Sequence, residues 1–148
     1  MVDLDKLKTR ELGKYFEQLF VSKIIKLGFD VFSPVLDKGI DFIVRKDRIN
    51  QPRYFEIQVK SVREKGGRLT IGRGMFSPNQ ENLFLVFFNV KSDGNYDVYL
   101  MSSKDVDKIF HKQEQAGKRI YRLNATKGDL EKVKDYKWDI DVVPEAWK

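Results

Sequence analysis

The 148-residue sequence contains no cysteine, a single histidine, and no apolar run that approaches the ~20 residues needed to span a bilayer. Without cysteine the chain forms no disulfide and offers no thiolate to a metal, which favours an intracellular, cytoplasmic protein with no membrane segment. The acidic, mixed N-terminal residues are also unlike a signal peptide. A histidine-rich zinc site is excluded as well. Any metal ion is therefore expected to bind oxygen ligands, which suits magnesium or manganese.

The composition predicts a soluble globular protein, and the length predicts one domain over residues 1–148. Hydrophobic residues make up 41% of the chain and charged residues 34%, with a net charge of +6. Residues 1–74 contain 16 Lys and Arg against 10 Asp and Glu, whereas residues 75–148 contain 12 of each. The basic excess therefore lies in one half of the chain, which fits a polyanionic partner such as a nucleic acid.

Residues 54–60 alternate polar and apolar side chains, as a β-strand does. The side chains of one face would be Phe55, Ile57 and Val59, and those of the other would be Glu56, Gln58 and Lys60. The preceding segment, residues 40–44, is nearly all apolar and carries Asp41 close to its start. Two adjacent strands of this kind would bring a carboxylate, an amide oxygen and an ammonium group together. That combination suits a hard cation and the phosphate it binds.

The remaining pattern predicts helices and strands that alternate along the chain. A first helix over residues 5–27 has one broad apolar face with Glu17 at its edge, and Gly28 ends it. A short helix is expected after Ser77, a second from Ser103 to near residue 117 with His111 in it, and a last one from Thr126 to about residue 136. Strands are expected at residues 30–33, 40–45, 53–61, 69–71, 83–90, 96–101 and 119–123. This order predicts an α/β sandwich with a mixed sheet.

In these segments the chain resembles the PD-(D/E)xK nuclease superfamily, in the variant that has glutamine in place of the second acid. Small restriction and homing endonucleases and archaeal Holliday-junction resolvases are of this kind. Residues 39–44 and 55–61 resemble the second and third core strands of the family, and residues 13–29 resemble its first helix. The resemblance implies a restriction-endonuclease-like sandwich, with a central mixed β-sheet flanked by helices. It also implies a metal-dependent endonuclease that acts on DNA as a homodimer or higher homo-oligomer.

The resemblance implies a role for each polar residue of the two strands. Asp41 would be the main ligand of Mg²⁺ or Mn²⁺, with the side-chain oxygen of Gln58 as a neutral ligand and the Val59 carbonyl completing the set. Lys60 would position the attacking water and stabilise the developing negative charge.

Two glutamates are assigned subsidiary roles. Glu17 would be an outer-shell or second-metal ligand, and Glu56 could replace the missing acid. A structural alternative also stands: Asp41 as a turn residue, Glu17 at a solvated helix edge, and the polar side chains of residues 54–60 on the wet face of an edge strand.

The basic, glycine-rich segment 62–74 is the candidate for contacts with the phosphate backbone. Its cations are Arg63, Lys65, Arg68 and Arg73. The alternative is a solvated hairpin.

Two other functions stay open at this point. One is a nucleic-acid-binding module of the same fold without cleavage, and the other is a protein-interaction domain with strand 83–90 as its core. The choice between DNA and RNA is open too, as is that between a restriction, homing or junction-resolving role.

Overall fold

The computed structural model describes residues 3–36, 38–46, 51–72 and 76–148. Its helices are α1 (Thr9–Lys26), α2 (Ser103–Ile109) and α3 (Lys127–Lys132), with 3-10 turns at Leu4–Lys6, Lys134–Tyr136 and Glu145–Trp147. The strands are β1 (Asp30–Phe32), β2 (Phe42–Lys46), β3 (Arg53–Arg63), β4 (Arg68–Ile71), β5 (Leu83–Val90), β6 (Tyr96–Ser102), β7 (His111–Gln115) and β8 (Lys118–Asn124). Within these described ranges, no helix is long and apolar enough to cross a membrane.

A five-stranded mixed sheet forms the centre of the molecule, in the order β1-β2-β3-β5-β6. Strands β3 and β5 run parallel, and the other neighbours are antiparallel. Every residue of β5 is buried, which explains why its sequence is an almost unbroken apolar run. The predicted α/β fold with a central mixed sheet is confirmed.

Helix α1 covers one face of this sheet. Its buried residues follow the spacing of a single helical face: Leu12, Phe16, Phe20 and Ile24. They pack on the apolar face of β3 and on alternate residues of β5, and the rings of Phe16 and Phe88 stack with centroids 4.6 Å apart. The predicted first helix is confirmed, but it begins at Thr9, because the extended backbone of Leu7 and Lys8 separates it from the 3-10 turn.

The opposite face of the central sheet is covered by α2 and by a second sheet with the order β4-β8-β7. The strands predicted at residues 69–71 and 119–123 correspond to β4 and β8, but β7 was missed. The helix expected to run from Ser103 to near residue 117 ends at Ile109, so the placement of His111 in a helix is wrong: it begins β7. All five residues of β7 are exposed, and without buried positions no alternation marks the strand.

The helix predicted after Ser77 is also wrong, because this segment forms turns. The carbonyl of Ser77 accepts a hydrogen bond from Gln80 N at 3.3 Å. Two residues further on, the Asn82 carbonyl accepts from Glu56 N at 2.8 Å and so begins the β3–β5 ladder. The chain therefore has no room for a helix before β5 starts at Leu83.

The C-terminal tail, which the sequence left unassigned, closes the core on the α1 side. Trp147 is fully buried there, and its ring stacks on Phe55 with centroids 5.3 Å apart.

Candidate metal and nucleic-acid site

Asp41 is fixed against the middle of β3 by two hydrogen bonds. Its backbone N–H donates to the Ile57 carbonyl at 2.9 Å, and its carboxylate oxygen Oδ2 accepts from Val59 N at 2.7 Å. The β2–β3 register pairs Phe42 with Ile57. Asp41 precedes this register, and its bond to the same Ile57 that pairs with Phe42 places it beside residues 57–59 of β3. The two bonds of Asp41 therefore lie on either side of Gln58 along β3, and a shared role of the acid and the amide stays a prediction.

Gln58 is the most unusual residue of β3, because it is a buried amide with an unsatisfied acceptor. Only 4% of its surface is exposed, and its Oε1 has no hydrogen-bond partner among the residues that the structure describes. An amide oxygen left in this state costs roughly 1–3 kcal/mol. A divalent cation is a partner that would remove this cost. The donor set at this point therefore fits the ion that the sequence predicts.

Lys60 follows Gln58 on the same face of β3 and is half-buried. Ile57 and Val59, which alternate with these polar residues along the strand, belong to the core under α1. The alternation predicted for residues 54–60 is thus confirmed: one side of β3 is apolar and packed, and the other carries the polar groups. Since β3 is the central strand of the sheet, this polar side is not the wet face of an edge strand.

Glu17 lies in a cavity of about 550 Å³ between α1 and the loop that leads into β2. Asp41 lines the same cavity, and Lys14 Nζ lies 3.5 Å from the Glu17 carboxylate. Gln58 and Lys60 are not among the described lining residues, because α1 packs on the opposite face of β3. Asp41 therefore lines the cavity that holds Glu17 and is also bonded to β3 at Val59, and the roles of both acids stay predictions.

Glu56 has a partner that the sequence did not indicate. Gln80 Nε2 donates a short hydrogen bond to Glu56 Oε2, and the Gln80 carbonyl accepts from Ser103 Oγ at 2.7 Å. Glu56 therefore ties β3 to the turn segment 76–82 and, through it, to α2. As a metal ligand it would have to share its carboxylate with Gln80. Gln80 was missed because its segment was expected to be helical.

Across the described ranges, no three His, Asp or Glu side chains lie close enough together to hold a metal. A cation would thus depend on the Asp41 carboxylate together with neutral oxygens. These are the Gln58 amide and the Val59 carbonyl that the sequence analysis named. A site with so few charges suits a hard cation that takes its remaining ligands from water and a substrate phosphate, as Mg²⁺ commonly does.

The predicted phosphate-binding cations are in different surroundings. The Arg63 guanidinium donates to the Leu4 carbonyl at 3.2 Å and, more closely, to that of Leu7, so it fastens the N-terminal 3-10 turn to β3. Lys65 is exposed in the turn after β3, and Arg68 begins β4, where its Nε donates to Asn124 Oδ1 at 3.3 Å. Arg73 lies outside the described residues. Lys65 is seven residues beyond Gln58, roughly 20 Å along an extended chain.

The architecture, a mixed central sheet with a long helix packed on one face, is that of a nuclease-like α/β fold. It is shared with the solved structure of a bacterial homing endonuclease, I-Ssp6803I, with a TM-score of 0.55 and 15% sequence identity over 88% of this chain and 89% of that chain. At this identity the likeness shows the fold alone. No family model matches the chain, and no curated protein matches it.

Proposed function

We propose that the protein is a metal-dependent endonuclease that hydrolyses DNA phosphodiester bonds. The observation that carries the proposal is the Asp41 carboxylate held on Val59 N, next in the chain to Gln58 and its buried, unsatisfied oxygen. The fold supports it, because the similar structure is that of a homing endonuclease. The basic excess of residues 1–74 is a further support, since it suits a polyanionic substrate.

Asp41, Gln58 and the Val59 carbonyl would hold Mg²⁺ or Mn²⁺. When bound, the cation supplies neutralisation of phosphate charge and a more acidic water. Asp41 is preorganised for this role, because the hydrogen bond from Val59 N fixes its carboxylate before any substrate arrives. Gln58 would contribute an oxygen that needs no deprotonation and adds no charge.

Lys60 would act on the substrate. Its ammonium group lies on the side of β3 that carries Gln58, where it would orient the attacking water and stabilise the negative charge that develops on the phosphate. Glu17, which reaches the cavity beside Asp41 from α1, would serve as an outer or second ligand. Cutting both strands of a duplex needs two such sites, so we propose that a homodimer or higher homo-oligomer is the active form.

The two alternatives are supported less well. A protein-interaction domain built around residues 83–90 has no exposed surface there, since β5 is buried along its whole length. A nucleic-acid-binding module without cleavage would leave Gln58 buried and unsatisfied with no ion to explain it.

The direct test is incubation of the protein with supercoiled plasmid and with branched DNA in Mg²⁺, Mn²⁺ or EDTA. We expect nicked and linear products with either metal and none with EDTA. Asp41→Asn and Lys60→Ala should each lower the cleavage rate by about 100-fold or more while DNA binding is retained. Asp135→Asn and Lys26→Ala change exposed residues of the same types and serve as matched controls. Salt-sensitive DNA binding without cleavage under any metal would instead support the inactive module.

A further inference from the structure

The outer face of the sheet β4-β8-β7 has an unusual composition. The strand pairings place Gln115 opposite Lys118, Arg122 opposite Thr70, and Asn124 opposite Arg68, so these residues share one face. The other face of the sheet supplies Leu69, Ile71, Tyr121 and Leu123 to the core. In these three strands, no position of the outer face carries a carboxylate. The strands therefore place three cations on this face among amide and hydroxyl groups, and His111, opposite Arg122, contacts the Asp129 carboxylate of α3 at the base of the hairpin.

The two sides of the β7–β8 hairpin also differ in their contacts. On the inner side Arg119 donates to Glu114 and to Asp107, both at 3.0 Å, and Lys112 Nζ donates to the Asp107 carbonyl at 2.7 Å. On the outer side, the side chains of Gln113, Gln115 and Lys118 make no hydrogen bond or ion pair within the described ranges.

Arg122 belongs to the same outer face and is also unpaired. Its Nε is buried, and no residue in the described portions of the chain accepts from it.

We propose that this outer face binds double-stranded DNA, with the β7–β8 hairpin lying in the major groove. The inference rests on the proposed endonuclease function and adds to it the surface that reads the substrate. The major groove, about 12 Å wide, admits a two-stranded β-ribbon. The hairpin is narrow to its tip, because Ala116 and Gly117 both have positive φ, 52° and 75°, as a tight two-residue turn requires.

The side chains on the hairpin match the chemistry of base edges. Glutamine can pair with N6 and N7 of adenine, and lysine or arginine with O6 and N7 of guanine. The one large apolar residue on this face, Ile120, is 6% exposed, so the face lacks the exposed apolar anchors that protein interfaces use. Double-stranded RNA is a poor fit, because its major groove is too deep and narrow for side chains to read.

The hairpin stands on the same side of the central sheet as Gln58 and Lys60. Its tip shares a groove of about 400 Å³ with Ser77 and Pro78, lined also by Gly117 and Lys118. That turn segment continues to Gln80, which is bonded to Glu56 of β3. The outer face itself looks away from the central sheet, because Leu69, Ile71 and Tyr121 of the inner face pack on the core, so the hairpin would hold the duplex beside this turn segment by its outer face.

The base of the hairpin is held rigidly. His111 Nε2 lies 3.1 Å from both carboxylate oxygens of Asp129, and Asp129 also accepts from Asn124 N at 2.9 Å. These contacts fasten β7 and β8 to α3. A recognition element needs such support, because its side chains must meet the base edges in a fixed register.

The test is selection of preferred sequences from a random duplex library with the wild-type protein in EDTA, followed by binding titrations. The Gln113→Ala/Gln115→Ala variant should lose about 10-fold or more in discrimination for the selected site and keep its affinity for random DNA. Lys118→Ala should weaken binding to all sequences and reduce the salt slope by about one. Gln51→Ala and Lys26→Ala are the matched exposed controls, and thermal unfolding checks that every variant is folded.

The outcomes separate this inference from the endonuclease proposal. If the wild type cuts DNA and the Gln113→Ala/Gln115→Ala variant keeps its sequence preference, the inference is overturned and the endonuclease stands. Tighter binding to single-stranded RNA than to duplex DNA would also overturn it. If the wild type neither binds nor cuts DNA at low salt, the proposed function itself fails.

Discussion

The two faces of the central sheet differ in the polar groups that are buried on them. Under α1 the face is closely packed, with aromatic rings stacked on each other and Trp147 closing its end, and the indole Nε1 of Trp147 is buried there without a partner in the described residues. The face under α2 and the second sheet contains an equally apolar core, but Gln58 and Asn89 are buried in it, each with an oxygen that has no partner in the described residues. Such defects cost stability, and proteins commonly retain them where function needs the polar group. The two unpaired side-chain oxygens of the second face support our proposal that the metal binds on this side of the sheet.

The largest effect is expected when the buried amide of the second face is replaced by an apolar side chain. Gln58→Leu replaces the unsatisfied amide with an apolar side chain of similar size. We expect it to raise the free energy of unfolding by roughly 1–3 kcal/mol in metal-free buffer, because the desolvated oxygen is removed. Urea unfolding with EDTA measures this change.

The same variant should lose the response to metal. Wild-type protein is expected to become more stable as Mn²⁺ or Mg²⁺ is added, since an ion that binds only the folded state stabilises it. Gln58→Leu should show a much smaller increase and no cleavage. Gln51→Leu, at an exposed position, is the control for the change of residue type. A Gln58→Leu protein that is less stable than wild type without metal would show that the amide is satisfied in solution.

The elements that could be predicted from the sequence are those with buried positions. Helix α1 and strand β5 were recognisable because burial imposes a period of 3.6 residues on α1 and a continuous apolar run on β5. Strand β7 was missed because nothing is buried on it, and its residues carry no period to detect. Its pairing with β8 depends on a two-residue turn at Ala116 and Gly117, and the sequence there lacks the usual Asn-Gly or Asp-Gly signal.

The candidate site was predictable for a similar reason, and only in part. Asp41 directly precedes β2 and Gln58 lies in β3, so the antiparallel pairing of these consecutive strands brings the Asp41 carboxylate to Val59 N. Glu17 comes from another layer, and its position relative to the strands depends on how α1 packs. The bond from Gln80 to Glu56 joins segments that are 24 residues apart, and no local pattern encodes it.

A smaller effect is expected where the second sheet is fastened to α3. Burial raises the pKa of the Asp129 carboxyl, but hydrogen bonds from Asn124 N and His111 outweigh it, so the pKa is lowered overall. The charged carboxylate therefore stabilises the folded state above its unfolded pKa of about 3.9, and this contribution is lost as the pH falls through the lower folded value.

Asp129→Asn should accordingly cost about 1–2 kcal/mol of unfolding free energy at pH 7. The difference from wild type should shrink below about pH 4. Urea unfolding between pH 3 and pH 7 follows it, with Asp135→Asn as an exposed control that should change little at any pH. If the loss of unfolding free energy in Asp129→Asn stays constant down to pH 3, the charge of the carboxylate is not what stabilises the contact between the second sheet and α3.

The smallest effect is expected at Glu56, and its measurement distinguishes a structural role of this residue from a role as a metal ligand. The bond between Glu56 and Gln80 lies near the surface, so a double-mutant cycle with Glu56→Gln and Gln80→Ala should give a coupling of about 0.5–1 kcal/mol. If Glu56 only ties β3 to the turn segment, Glu56→Gln should keep the stabilisation by Mn²⁺ that Asp41→Asn abolishes. If instead both variants lose that stabilisation equally, Glu56 is a ligand, and the second carboxylate of the site lies two residues before Gln58 on the same face of β3.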